Sequence, residues 1–519
     1  MKTRRRFLQS LVGSFGAAAL DSRIRGADSG TVKSLIPQTR SIAPNYWCTW
    51  AAQNYLYGQG TREFDVRDLE GSQGAEFARE SLCEKVLVGP QGWSKSVHPK
   101  VREELYLLLD DGWAEGGSAT FRLDREKFPS FRGSAPDRLR ALNDTVRHDG
   151  WRALALWISE PAGGNSDYQH MRWVKSANIP YLKVDGGDLS GTLAEARARL
   201  GASIQLEHVY GEPPFNGDWQ ADGRFETQSW NSERIRILRA ADVYRTYDAT
   251  AVLGVPTTLD RVGELMRVAS GRSEVRALLN VEDEVYIAAV LGCCMGVMRH
   301  PFRGLRAGKD PDVFLPLQRG LKRRMDEVLR AIRWQRLAPP YAVGIGEVAL
   351  DTRIITDEWV FESGETFDAS LVSHRAKQGA PARIARNMDL PIVSCLGDPP
   401  YVACARFPGG AASIGAFERS SVGREIVQPR ANVRWLVGDA SGPLGIFGRY
   451  ESLTLVLNRP LRGGRIIAQD LAGDSPVDIT ENVERRAFEY TLSGALIDRV
   501  GSMNATVGDL SMPGVVLAL

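Results

Sequence analysis

The sequence predicts a (β/α)8 barrel followed by a C-terminal antiparallel β-sandwich, on three observations. Short apolar runs alternate with amphipathic helical stretches through about 260 residues, the pattern of parallel strands joined by helices. Beyond about Ala342 apolar residues recur at every second position between Gly, Pro and Asp, as in half-buried antiparallel strands. No G-x-G-x-x-G occurs, and Gly304–Lys309 is one residue short of a phosphate loop and lacks its Ser/Thr, so a doubly wound nucleotide-binding sheet loses ground.

Residues 1–27 come first. Arg4-Arg5-Arg6-Phe7-Leu8 precedes a weakly apolar run of ten residues from Leu11 to Leu20, which resembles a twin-arginine export signal. Ten helical residues fall well short of a ~30 Å hydrocarbon core, so a periplasmic or extracellular protein is expected, with no membrane span in the mature chain. The full chain carries 65 Lys+Arg and 63 Asp+Glu, and without this segment 59 cations face 62 anions. That balance lacks the basic surplus of a nucleic-acid binder, so nucleic acid is not an expected partner.

Residues 28–341 are assigned to the barrel. Strands are expected at 46–52, 104–109, 152–158, 181–184, 203–208, 241–245, 275–279 and 296–298. Helical spacing of apolar residues falls between them at 192–200, 232–240, 259–268 and 283–293. Pro339-Pro340 cannot continue a helix and serves as the linker. Residues 342–519 form the sandwich, with strands at 403–407, 412–417, 433–437, 452–457 and 488–492.

Six cysteines in an exported chain permit disulfides without being dense enough to replace a core. Cys395 and Cys404 flank the turn-like Gly397-Asp398-Pro399-Pro400 and could face each other across a hairpin. With no C-x-x-C and no H-E-x-x-H, neither a metal nor another cofactor is expected.

In such a barrel the chemistry belongs at the C-terminal strand ends. Strand two ends Asp110-Asp111-Gly112-Trp113, strand four Lys183-Val184-Asp185, strand five carries Glu207, and strand six runs into Arg245-Thr246-Tyr247-Asp248. Carboxylates crowded on one rim repel one another unless cations or hydroxyl groups satisfy them, so a polyhydroxylated ligand, a sugar, is the expected partner. Trp47, Trp50, Trp113 and Trp157 offer flat apolar faces for a pyranose. The plainer readings are aspartates that shape turns, tryptophans that fill the core, and structural roles for His208 and His300.

These residues resemble, in chain order, the clan of (β/α)8 retaining glycosidases that contains the α-galactosidases and α-N-acetylgalactosaminidases. Trp47-Cys48-Thr49-Trp50 is similar to its first-strand tryptophan motif, and Leu109-Asp110-Asp111-Gly112-Trp113 to its Asp-Asp-Gly-Trp. Phe128-Pro129, Gly150–Trp157 and the nucleophile strand Tyr181-Leu182-Lys183-Val184-Asp185-Gly186 follow, so the likeness covers residues 43–303. It implies that Asp185 is the nucleophile of a double displacement and Asp248 the acid/base. Asp110 and Asp111 would accept from the 4- and 6-hydroxyls above Trp50, with Trp113 beside them. Lys183 would donate to the 3- and 4-hydroxyls, and Glu207 and Arg245 would face the 2-hydroxyl. Lys183, two residues from Asp185 on the same strand face, would also help to keep it ionised.

Arg245 and Asp248 are separated by two residues where the family has three, so Asp242 is the fallback acid and a carbohydrate-binding barrel without turnover is the alternative. A cofactor-carrying oxidoreductase, suggested by the export signal alone, is a third class. Galactose, N-acetylgalactosamine and β-L-arabinopyranose stay open as the sugar, Asp111 favouring one with a 6-hydroxyl, and oligomeric state is not legible.

Overall fold

A computed structural model describes residues 33–55, 72–159, 161–185, 187–188, 191–209, 218–219, 225–226, 237–245, 254–301, 324–360, 375–420, 426–461 and 464–519. The export segment and Asp248 lie outside the described residues, as does most of the stretch between Glu212 and Gln228.

Eight parallel strands form a closed barrel: β1 (Tyr46–Cys48), β2 (Tyr106–Leu109), β3 (Ala153–Ile158), β4 (Tyr181–Asp185), β5 (Gln205–Val209), β6 (Val243–Arg245), β7 (Leu278–Glu282) and β8 (Cys294–Val297). Each overlaps its expected run, and each pairs with the next in the chain until β8 returns to β1, Tyr46 lying opposite both Gly296 and Tyr106. Around them run α1 (Trp50–Tyr55), α2 (Ser72–Ser81), α3 (Ala135–His148), α4 (Gly164–Ser176), α5 (Thr192–Arg199), α6 (Gly254–Ala269), α7 (Val285–Leu291) and α8 (Met325–Gln335).

Period-two alternation sorts the strand residues. On β3, Leu154, Leu156 and Ile158 pack outward with the helices, while Ala153, Ala155 and Trp157 join the inner cluster. The two alanines leave room inside for Tyr46, Tyr106 and Tyr181, whose rings meet at 5.8 Å and 5.4 Å between centroids. Gly296 of β8 makes the same allowance, because a Cβ there would lie 2.6 Å from the Tyr46 hydroxyl.

The C-terminal region holds two packed, mostly antiparallel sheets of eight and five strands, with two two-stranded sheets beside them among the described residues. Three neighbouring pairs within them run parallel, for example Ala412–Phe417 beside Leu444–Gly448, because the intervening chain crosses over before returning. The eight-stranded sheet lies against α7 and α8, and one hydrophobic core runs from the barrel into it through Trp334, Phe407 and Phe447. Arg330 of α8 reaches Asp470 at 2.9 Å with both side chains fully buried. The chain after Pro339-Pro340 is not a loose tether, since Tyr341 is buried beneath the Arg386 guanidinium at 3.6 Å.

All six cysteines are free. The expected Cys395–Cys404 pairing fails because the strands around them belong to different sheets: Ile392–Ser394 edges the five-stranded sheet and Tyr401–Arg406 lies inside the eight-stranded one. Among the described residues no helix is long and apolar enough to cross a membrane.

Candidate functional site

The inward residues at the C-terminal ends of the strands form the mouth. Asp110 follows β2 and is buried beside Lys183 of β4, whose Nζ lies 3.0 Å from its Oδ2. The Cys48 thiol donates to the same oxygen at 3.0 Å, and the Asp111 amide donates to Oδ1 at 2.9 Å. Burial pushes the Asp110 carboxyl up, but Lys183, Cys48 and the Asp111 amide outweigh it and hold the group below its ordinary range. Lys183 is held above its ordinary value, because Asp110 overcomes burial and the repulsion of Arg245. The lysine expected to serve Asp185 is thus committed to Asp110.

Asp185 ends β4 half-buried, and the Trp157 indole Nε1 donates to its Oδ2 at 3.2 Å. Asp111 is half-buried and turned the other way, its Oδ2 2.5 Å from Arg79 Nε on α2. Gly112 enables that turn with a φ of 104°, where a Cβ would strike the Arg79 backbone at 2.6 Å. Burial raises the Asp111 carboxyl above its ordinary value despite Arg79. Trp50, the first residue of α1, is half-buried against the inner cluster beside the mouth.

Three expected contacts are corrected. Trp113 is fully buried with its Nε1 donating to the Trp157 carbonyl at 2.8 Å, so it buttresses β3 from behind and presents no face to the mouth. Trp47 points outward from β1, between Trp93 and Trp151, because strand alternation puts its neighbours Tyr46 and Cys48 inside. Glu207 sits on the floor below the mouth: Tyr46 donates at 3.0 Å, Asn280 at 2.8 Å, and Tyr181 closes the cage. Burial raises its carboxyl above the ordinary range, and Arg245 opposes that rise.

Arg245 ends β6 and is buried, with Nη1 2.7 Å from Glu282 Oε2 on β7. The fallback Asp242 precedes β6 at the opposite end of the strand, where its Oδ2 accepts from the Leu206 amide at 2.9 Å and from Arg197. That position rules it out as the acid at the mouth. His208 is buried, and burial lowers its basicity.

Cys48, Asn280 and Glu282 are inward residues at the mouth to which the sequence pattern gave no role. Extending the seventh strand three residues beyond Leu279 on the same period would have placed Asn280 and Glu282 at its end. Among the described residues, no group of three or more His, Cys, Asp or Glu side chains is arranged to hold a metal ion.

No protein-family model matches the chain, and no curated protein is significantly similar to it.

Proposed function

We propose that the protein is an exported retaining glycoside hydrolase that removes terminal α-linked, galactose-like sugars. One observation carries the reading: Asp185 is a half-exposed carboxylate at the C-terminal end of the fourth barrel strand, whereas Asp110, Glu207 and Glu282 around it are 5% exposed or less. In the proposed mechanism Asp185 attacks the anomeric carbon as the glycosidic C–O bond breaks, and the leaving oxygen takes a proton from Asp248. Water, deprotonated by Asp248, then releases the sugar with its configuration retained. Trp157 steadies the nucleophile with a neutral donor, which orients the carboxylate without cancelling its charge. The Lys183–Asp110 pair offers adjacent donor and acceptor groups to vicinal hydroxyls, a pattern suited to sugar recognition.

The test is hydrolysis of a panel of aryl α- and β-glycosides by the wild type and by Asp185→Asn, both shown folded by circular dichroism. The wild type should cleave an α-glycoside with the α-anomer released first, and the variant should be at least about a thousandfold slower. Equal activity of the two proteins removes Asp185 from its role. A folded wild type that is inert on aryl glycosides and on α-galactosyl oligosaccharides, yet binds them, makes the barrel a carbohydrate-binding protein.

A further inference from the structure

Glu282 has no part in the mechanism above, yet its carboxylate lies against the Arg245 guanidinium in the mouth. β7 presents Asn280 and Glu282 on its inner face, and Asn280 lies directly opposite Arg245 in the ladder between β6 and β7. Glu282 Oε2 is 2.7 Å from Arg245 Nη1, with side chains 1% and 2% exposed. The same registers put Asp185 in this row: it pairs with Val209 across β4 and β5, and Val209 pairs with Arg245 across β5 and β6. Neighbouring strands are ~4.8 Å apart, so the Asp185 and Arg245 backbones are separated by about 10 Å, a gap that a long arginine and a short aspartate close between them. Burial works against the charge of the Arg245 guanidinium, and Glu282, Glu207 and Asp185 outweigh it, Glu282 most strongly among them.

A nucleophilic carboxylate benefits from a nearby cation, which keeps it ionised, and suffers from a guanidinium that binds it in two-pronged fashion and occupies its lone pairs. The geometry points to Glu282 as a positioning residue: it draws the Arg245 guanidinium to the β7 side of the mouth, so that the guanidinium does not clamp Asp185 in two-pronged fashion. This assignment rests on the glycosidase reading. Glu282 touches no reacting atom and acts through Arg245.

Glu282→Gln keeps the shape and removes the charge. Its kcat on the best aryl α-glycoside should fall about 10- to 100-fold with KM changed less than about threefold, the scale of a misplaced group at a reacting centre. The double variant Glu282→Gln/Arg245→Gln should turn over faster than Glu282→Gln alone, since no guanidinium is left to shift. A merely structural role gives losses that add, and additive losses or an unchanged kcat overturn the assignment. If Glu282→Gln does not fold, Glu282→Asp replaces it, with kcat expected to fall severalfold; a wild-type kcat overturns the assignment. The crystal structure of the folded single variant is a readout independent of turnover. Arg245 moved closer to Asp185 supports the assignment, and Arg245 unmoved refutes it. A wild type that hydrolyses no glycoside defeats the glycosidase reading alone, because the position of Arg245 in that structure is still decided.

Discussion

Lys183→Met tests the charge structure of the mouth most directly. The pair it breaks has its atoms 3.0 Å apart, with side chains 5% and 7% exposed. At that separation an effective dielectric of about 20 gives about 5–6 kcal/mol of attraction. Burial of both ions offsets part of this, but removing one partner strands the other, and stranded buried charges cost about 3–5 kcal/mol. Methionine fills much of the lysine stem's volume, so the loss is electrostatic rather than a cavity effect. For a chain of this size, with an unfolding entropy of about 2.1 cal/mol/K per residue, each kcal/mol moves the midpoint by about 1–1.5 °C, so the melting temperature at pH 7 should fall by about 3–8 °C.

The pH dependence identifies the cause. In the wild type the Asp110 carboxyl is held below its ordinary value, so its stabilising contribution is present above the unfolded value, about 3.9, and is lost as pH falls through the folded one. Without Lys183, burial dominates and the same carboxyl rises above its ordinary value, so the variant regains stability as pH falls and Asp110 takes up its proton. The stability gap between the proteins should therefore be widest near pH 7 and narrow toward about pH 4.5. Urea titrations at several pH values, followed by tryptophan fluorescence and circular dichroism, measure it. A loss below about 1 kcal/mol, or a gap that does not change with pH, refutes the reasoning.

Two further substitutions probe the packing that supports the site. Gly296→Ala would place a methyl 2.6 Å from the Tyr46 hydroxyl and 2.7 Å from its ring, so it should cost about 1–3 kcal/mol by overpacking. Thermal melts measure that cost, and the double variant with Tyr46→Ala should lose less than the sum of the two single losses; an unchanged melt for Gly296→Ala would mean that the barrel interior has slack there. Arg330→Met breaks the fully buried pair with Asp470 and should cost about 3–5 kcal/mol, whereas Arg40→Met, whose pair with Glu103 is 63% and 41% exposed, should cost less than about 1 kcal/mol. Equal losses in urea titrations would contradict the burial argument.

Much of the fold is legible in the residues because it rests on local periodicity. Eight apolar runs in chain order, separated by helical spacing, leave few arrangements besides a closed parallel barrel, and later period-two runs such as Ala412–Phe417 and Ser452–Leu457 are strands as expected. The strand ends then locate the mouth, so Asp110, Lys183, Asp185 and Arg245 could be named from sequence: Asp110 directly follows β2, Asp185 and Arg245 end β4 and β6, and Lys183 lies one inward position below Asp185. Alternation even contains the information that Trp47 points outward, since its neighbours Tyr46 and Cys48 point in.

What local pattern does not contain is the choice of partner. Lys183 is two residues from Asp185 on one strand face, yet its charge goes to Asp110 on the adjoining rim, because side chains in a closed barrel meet across strands as readily as along them. Glu207 and Trp113 have the residue types of a sugar site, but barrel geometry caged the first below the mouth and turned the second behind β3. Buried depth, and not residue type, separates floor from rim. Likewise α7 is buried on every side, because the C-terminal sheet covers the face that a lone barrel would expose to water. The sequence by itself determined which strands and helices form and in what order they close. Only the tertiary structure decided which charges pair, since pairing depends on distances between residues far apart in the chain and on the burial that makes each pair strong.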